Sequence, residues 1–244
     1  MTYIYFAGRN SKEILRDPLS LILAGVLPVV FIILFSLISR NAPVEVFQPV
    51  NIVPGLTVFG FTFITMFLGM LIAKDKSSSF LTRLFISPLR PRDFILGYFI
   101  PVLPMAAIIA VSCLVTGLFV GIPLSVRLAY TFLSFIPFVL FSGFFGIFLG
   151  VLCRETQVMA VGNIYIIASA LLGGAWMDLE ILGKTLKTIT DFLPFSHAIE
   201  ASRIVLSGRQ ENLWLHLGVV CLYALVFFVL AVFFFRRKMR SDNK

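Results

Sequence analysis

The sequence predicts an all-α membrane protein with six transmembrane helices, and three observations carry that prediction. Six windows hold no charged side chain: Pro18 to Ser39, Val46 to Ala73, Phe94 to Val126, Leu128 to Cys153, Thr156 to Met177 and Asn212 to Phe235. Each is at least as long as the roughly 20 residues a helix needs to cross about 30 Å of hydrocarbon. Inside lipid every backbone N–H and C=O must find a partner within its own segment, so such windows form helices. Second, 59% of the 244 residues are hydrophobic and 13% are charged, about half the charged share of a soluble domain. Third, the cations behind the net charge of +8 cluster beside the windows, where anionic headgroups attract them. That placement points to a membrane surface and away from nucleic acid. Six spans and one modest excursion fill the chain, which excludes a separate soluble catalytic domain within it.

The elements follow in order. Residues 1–17 form an N-terminal amphipathic helix lying in the headgroup plane. Tyr3 to Ala7 is apolar and aromatic, Ile14 and Leu15 follow, and Arg9, Lys12 and Arg16 recur at helical spacing. Pro18 turns the chain into the bilayer. Those charges, with Glu13 and Asp17, interrupt the N-terminus before any apolar core, so no cleavable signal peptide is read there. The transmembrane domain takes residues 18–240, with spans at about 19–39, 51–73, 95–121, 128–152, 157–177 and 213–235, and residues 241–244 form a tail. Pro101, Pro104 and Pro137 predict kinks or breaks in the third and fourth spans. In the fourth, Ser142, Gly146 and Gly150 recur every four residues, a small face that admits another helix closely. The fifth carries Ala168, Ala170, Gly173 and Gly174.

Orientation follows from the Lys and Arg counts of the loops. The side shared by both termini holds 14 of the 20 cations and the opposite side 6, while the 12 acids divide evenly. Both termini are therefore expected in the cytoplasm, with the protein in the plasma (inner) membrane.

Two connections exceed simple linkers. In the cytoplasmic segment Lys74 to Asp93, Ser77 to Ser79 can cap a helix at about 77–87. Phe80, Leu81, Leu84 and Phe85 give it an apolar face, with Thr82 and Arg83 opposite, and Ser87-Pro88 stops it. A short helix exposing aromatic side chains must rest on lipid, on its own bundle or on a partner. On the outer side, residues at about 180–206 read as two short helices, Ile181 to Phe192 and Phe195 to Leu206, broken at Pro194. Both are too charged and too short to span, so they form a hairpin dipping partly into the outer leaflet.

With these motifs in place, the chain resembles the membrane subunit of the type-2 ABC exporter permease family. Members carry, between the second and third spans, a basic-acidic opening, then Gly-Thr-Leu-Glu-x-Leu-Leu-x-Ser/Thr-Pro, then Gly-Lys. Here Lys74-Asp75-Lys76 matches the opening, Leu81 and Arg83-Leu84-Phe85-Ile86-Ser87-Pro88 the middle, and Gly97-Tyr98 stands at the Gly-Lys position. Ser79-Phe80 replaces Gly-Thr and Thr82 replaces Glu. Leu193-Pro194 through Arg203 resembles the family's Leu-Pro and Arg element before the last span. The resemblance implies that the 77–87 helix is a coupling helix docking in a groove of a separate ATP-hydrolysing subunit, through Asp75, Phe80, Leu81, Arg83, Leu84, Phe85 and Pro88. It also implies two permease subunits, identical or related, with two such ATPases. The chain itself binds no cofactor; ATP and Mg belong to the partner.

The remaining candidates for chemistry are few. Leu206-Ser207-Gly208-Arg209-Gln210 imitates an ABC ATPase signature, but no Gly-x-x-x-x-Gly-Lys-Ser/Thr loop exists to cradle phosphates, and Gly208 reads as a helix stop. His197 and Glu200 stand three apart on a helix, with Asp191 nearby, yet no convergent set for a metal is visible. Cys113, Cys153 and Cys221 fall in or at the ends of three different spans and read as packing residues. No charge lies deep in any span, which argues against a proton- or ion-coupled transporter. Uncharged polar and aromatic residues remain as path candidates: Thr57, Phe61, Thr62 and Thr65 in the second span, and Asn163, Tyr165 and Ser169 in the fifth. By resemblance these two spans face the path between subunits. The expected function is export of an amphipathic drug-like or lipid-like compound from the cytoplasm or inner leaflet, powered by the partner ATPase. Polysaccharide or haem export, and a non-transporting membrane scaffold, are the alternatives.

Overall fold

A computed structural model describes residues 2–16, 18–41, 45–78, 91–177, 183–209 and 211–241. Among them the secondary structure is helical throughout: α1 (Thr2–Leu15), α2 (Pro18–Asn41), α3 (Pro49–Ser77), α4 (Pro91–Phe99), α5 (Val102–Phe119), α6 (Val126–Ser134), α7 (Ile136–Leu152), α8 (Glu155–Leu172), α9 (Lys184–Thr190), α10 (Pro194–Ser207) and α11 (Leu213–Ser241), with a single 3₁₀ turn at Glu45–Phe47. Six stretches are long and apolar enough to cross a membrane, namely α2, α3, α4 with α5, α6 with α7, α8 and α11.

The bundle is built around α3. Its span is 83% buried, against 22% for α2, 28% for α8 and 17% for α11. The sequence explains this position: a helix that is apolar all round has no face to offer to a polar surface, and every residue from Ile52 to Thr65 is buried. α3 packs against α2, α5, α7, α8 and α10. Its tightest seam is with α7, where the Thr65 hydroxyl donates to the Ser142 carbonyl at 3.0 Å. Below that bond Gly146 and Gly150 let the backbones meet; a Cβ at Gly146 would stand 2.7 Å from the Thr65 carbonyl oxygen, and one at Gly150 2.7 Å from that of Gly69. On its other side α7 meets α11 through aromatic rings, with Phe227 edge-on to Phe141, Phe145 and Phe148.

The third and fourth spans are each broken in two. Pro101 separates α4 from α5, and Phe135, ahead of Pro137, separates α6 from α7. Proline has no N–H to give to the carbonyl four residues back, so the Gly97 carbonyl loses its helical donor. Asn10 of α1, fully buried, supplies one from its side-chain amide at 3.0 Å. Asn10→Ala is accordingly expected to destabilise by about 1–3 kcal/mol, the penalty of an unsatisfied buried acceptor, whereas Ser11→Ala, which removes only a local bond to the Ala7 carbonyl, is expected to change little; chemical unfolding in detergent micelles measures both.

The fifth span ends at Leu172, short of the Met177 expected from the absence of charge. Gly173 and Gly174 stop it, Gly174 at a φ of +70°, and Ala175 then lies against Gly55 of α3. Of the hairpin before the last span, residues 183–207 are described: α9 and α10 meet at Leu193, Pro194 occupies the first turn of α10, and Gly208, at a φ of +75°, ends it. α10 seats on α3, α6 and α11. Arg203 fixes it, donating to the Asn51 carbonyl at 3.0 Å and to that of Gly174 at 2.6 Å.

Candidate coupling site

Four consecutive residues at the end of α3 are each tied to other elements. Lys74 pairs with Glu13 of α1 at 2.8 Å. Asp75, 2% exposed, receives both guanidinium nitrogens of Arg9, also of α1, at 2.6 and 2.7 Å, and the Tyr98 hydroxyl of α4 at 2.8 Å. Lys76 donates to three carbonyl oxygens at the end of α7, those of Gly150, Val151 and Cys153, at 3.1, 3.1 and 2.5 Å. Ser77 hydrogen-bonds Glu155 in the first turn of α8. The helix dipoles favour this distribution, with an ammonium over the C-terminus of α7 and a carboxylate at the N-terminus of α8.

The electrostatics follow the geometry. Hydrogen bonding to Asp75 raises the Arg9 guanidinium above its ordinary value. The Lys74 ammonium lowers the Glu13 carboxyl. The Arg9–Asp75 contact is a two-toothed fork, which fixes direction as well as distance; Lys74–Glu13 is solvent-facing and contributes at most about 1 kcal/mol.

α1 is seated by packing as well as charge. Phe6 lies edge-on to Tyr98 at 4.9 Å and to Phe94 at 5.9 Å. Its ring fills the space where a side chain at Gly97 would begin, so that position admits glycine alone. Phe94 continues the contact to Phe235 of α11 at 5.1 Å. The last turn of α3 is thus the meeting point of α1, α4, α7 and α8, and it leads directly into residues 79–90.

Of the residues that the sequence assigns to docking, Asp75 belongs to this junction. Phe80, Leu81, Arg83, Leu84, Phe85 and Pro88 lie outside the described residues. Ser77, where the sequence reading starts the coupling helix, is the last residue of α3, with Ser78 as its cap. Arg9, Asn10, Tyr98 and Glu155 have no site role in the sequence reading. Their partners are 66, 87, 23 and 78 positions away, and no local pattern reveals a contact at that separation.

The path candidates are distributed differently. Thr57, Phe61, Thr62 and Thr65 are fully enclosed; Thr57 and Thr62 donate back to the carbonyls of Val53 and Phe59. Ser169 is buried and bonds the Ile166 carbonyl. Tyr165 stacks edge-on to Phe145, and its buried hydroxyl has no hydrogen-bond partner among the described residues. Asn163 is exposed on α8. The structure therefore does not gather the seven around one space.

At the far end of the bundle a polar cavity of about 670 Å³ is lined by Asn51, Asp191, His197, Glu200, Arg203 and His216 among others. His197 faces His216, with Nδ1 atoms 2.8 Å apart, while Glu200 pairs with Arg209 at 3.0 Å. The helical spacing of His197 and Glu200 thus leads to two separate partnerships. No group of three metal-ligating side chains converges among the described residues.

Comparison with known proteins agrees with this architecture. Residues 47–233 match the family model described as ABC-2 family transporter protein. A Cyanophora paradoxa protein that carries the name transport permease ycf38 is 28% identical over 212 residues, covering 80% of this chain and 70% of its own length. Nodulation protein J of Rhizobium leguminosarum bv. viciae and that of Neorhizobium galegae are each 33% identical over 69 residues, 28% of this chain and 27% and 26% of theirs. The family match over most of the chain, together with the six apolar helices of the structure, places this multi-pass membrane protein in the ABC-2 transporter family, as a transport permease subunit.

Proposed function

We propose that the chain is the permease of an ATP-driven exporter and that residues 79–90 are the segment gripped by a separate ATPase subunit. The observation that carries this reading is the junction at Lys74 to Ser77. A force applied to the segment enters α3, the central helix, and reaches α1, α4, α7 and α8 in the same step through short charged bonds. In a cargo-free state the ATPase would favour one arrangement of these helices and ATP binding another, a shift that requires only different docking energies in the two states. The termini and this junction then lie in the cytoplasm, and the cavity beside Arg203 lies outside. Two copies, or this chain with a related one, form the path, with ATP and Mg held by the partner.

The cargo that fits best is an amphipathic drug-like or lipid-like compound. The exposed face of α8 is apolar around Asn163, with Ile164 and Ile167 exposed beside it, and carries no charge in its membrane portion. Thr57, Phe61, Thr62, Thr65, Tyr165 and Ser169 would meet cargo only when α3 and α8 part from their neighbours. A second reading, export of a large polar compound such as a polysaccharide, draws on the polar cavity near Arg203.

The deciding experiment is co-expression with a candidate ATPase followed by ATP hydrolysis in nanodiscs. Arg83→Glu combined with Phe85→Ala is expected to abolish co-purification of the ATPase while the permease still folds. An unchanged complex would remove residues 79–90 as the docking segment. Stimulation by amphipathic drugs but not by polysaccharide supports the first cargo, and the reverse supports the second. A protein that does its work without any ATPase is a scaffold.

A further inference from the structure

We infer that the third and fourth spans hold a binding slot for the acyl chain of a membrane lipid. A cavity of about 180 Å³ lies between α5, α6 and α7, with Phe61 of α3 on its wall. Every lining side chain is apolar, and three of them on α5 are alanines, at positions 106, 107 and 110. The reason for the void is visible in the breaks. Phe135 is itself the interruption of the fourth span, and Ala106 follows closely on Pro101 in the third. A span interrupted in this way cannot keep its ridges in a neighbour's grooves across the break. The alanines are too short to reach across, and Phe61 and Phe135 turn to each other, edge-on at 5.4 Å.

Depth and access choose the occupant. α4 runs nine residues before the first break and α6 nine before the second, from opposite ends of the bundle. At 1.5 Å per residue the lining alanines lie about 24–30 Å from the start of α4, and Phe132 to Leu140 about 10–22 Å from the start of α6, so the slot lies across the middle of spans about 40 Å long, within a hydrocarbon layer about 30 Å thick. Leu103 and Ile136 at the rim are 48% and 47% exposed, so the slot opens on the outside of the bundle and not into its core. Water has no reason to enter, since a buried water needs two to four polar partners. An apolar cavity of about 150 Å³ in a soluble protein stays dry and takes up benzene; this one is large enough for several methylene groups. At mid-depth the group that bathes the rim is the distal part of a lipid tail. The inference rests on the six spans and not on transport, and a tail lodged there would pack against the break of the fourth span at Phe135.

The test uses the full-length protein in nanodiscs containing phosphatidylcholine with a photoactivatable diazirine near the acyl terminus. Cross-linked peptides are mapped by mass spectrometry. Labelling is expected to concentrate on Leu103, Ala107, Ile136 and Leu140, above that on Ile22, Ile164 and Leu225, which are more exposed apolar residues of other spans. Ala107→Phe, which fills the mouth, is expected to lower the slot's labelling several-fold and leave the other spans unchanged. Even labelling of all exposed apolar positions, or labelling of the slot that survives Ala107→Phe, overturns the assignment. If Ala107→Phe does not fold, Leu140→Phe fills the slot from the α7 side and is judged by the same criterion. No ATPase enters the assay, so its failure leaves the exporter reading standing and its success does not prove that reading.

Discussion

Arg9→Ala is expected to lower the unfolding free energy by about 3 kcal/mol, the low end of what stripping the partner from a buried charge costs. The low end applies because Arg9 is 36% exposed and water reaches the pair from one side. Asp75 stays buried and keeps the Tyr98 hydroxyl, which cannot balance its charge. For a chain of this size the melting temperature should fall by about 6–12 °C. Adding Asp75→Asn to Arg9→Ala should recover more than half of the loss, because a neutral amide needs no counter-charge. Arg9→Lys should fall between, since one ammonium cannot bridge both carboxylate oxygens. Thermal unfolding in detergent micelles reads all four proteins. A single Arg9→Ala protein that melts with the wild type would show that the fork does not hold α1 to α3. ATPase co-purification on the same preparations asks the functional question: if the junction transmits force, Arg9→Ala/Asp75→Asn should retain the complex yet lose part of its substrate-stimulated hydrolysis.

The second large effect is steric. Gly150→Ala brings a Cβ to 2.7 Å from both the Gly69 carbonyl oxygen and the Ile72 Cβ. Neither atom is the free end of a flexible side chain, so the helices must move apart. Overpacking of this kind costs about 1–3 kcal/mol. Gly146→Ala meets the Thr65 carbonyl oxygen at 2.7 Å in the same seam, and because one displacement of α7 relieves both, the double variant should cost less than the sum. Gly218→Ala on α11 has nothing within 4 Å and should melt with the wild type. Equal melting of Gly150→Ala and Gly218→Ala would mean that α3 and α7 are not in backbone contact there.

The order and number of spans were legible because lipid imposes a one-dimensional rule. Twenty apolar residues without charge must form a helix, whatever their neighbours, and Pro101 and Pro137 then mark its interruptions through their own backbone chemistry, whereas Gly173 and Gly174 read as small residues inside the fifth span and end it only in the folded chain. The family motif at Lys74 to Lys76 was legible for a related reason, being a short local string. Its partners were not. Arg9 reads as one charge of an interfacial amphipathic helix and Asn10 carries no reading at all, and only the folded chain shows that Arg9 carries the counter-charge of Asp75 while Asn10 replaces the donor that Pro101 lacks. Phe6, an unremarkable aromatic near the start, explains why position 97 is glycine.

Composition and periodicity thus determined that this protein lives in a membrane, how many times it crosses, and which two loops stand apart from the rest. Tertiary structure alone decided that α3 is the hub, that four adjacent side chains at its end join four other helices, and that the path candidates do not share one space. The division has a physical cause. Burial in lipid acts on each segment separately and leaves its mark in sequence order, whereas ion pairs, donor replacement and backbone contact act between segments far apart in the chain, and their geometry exists only after the helices have packed.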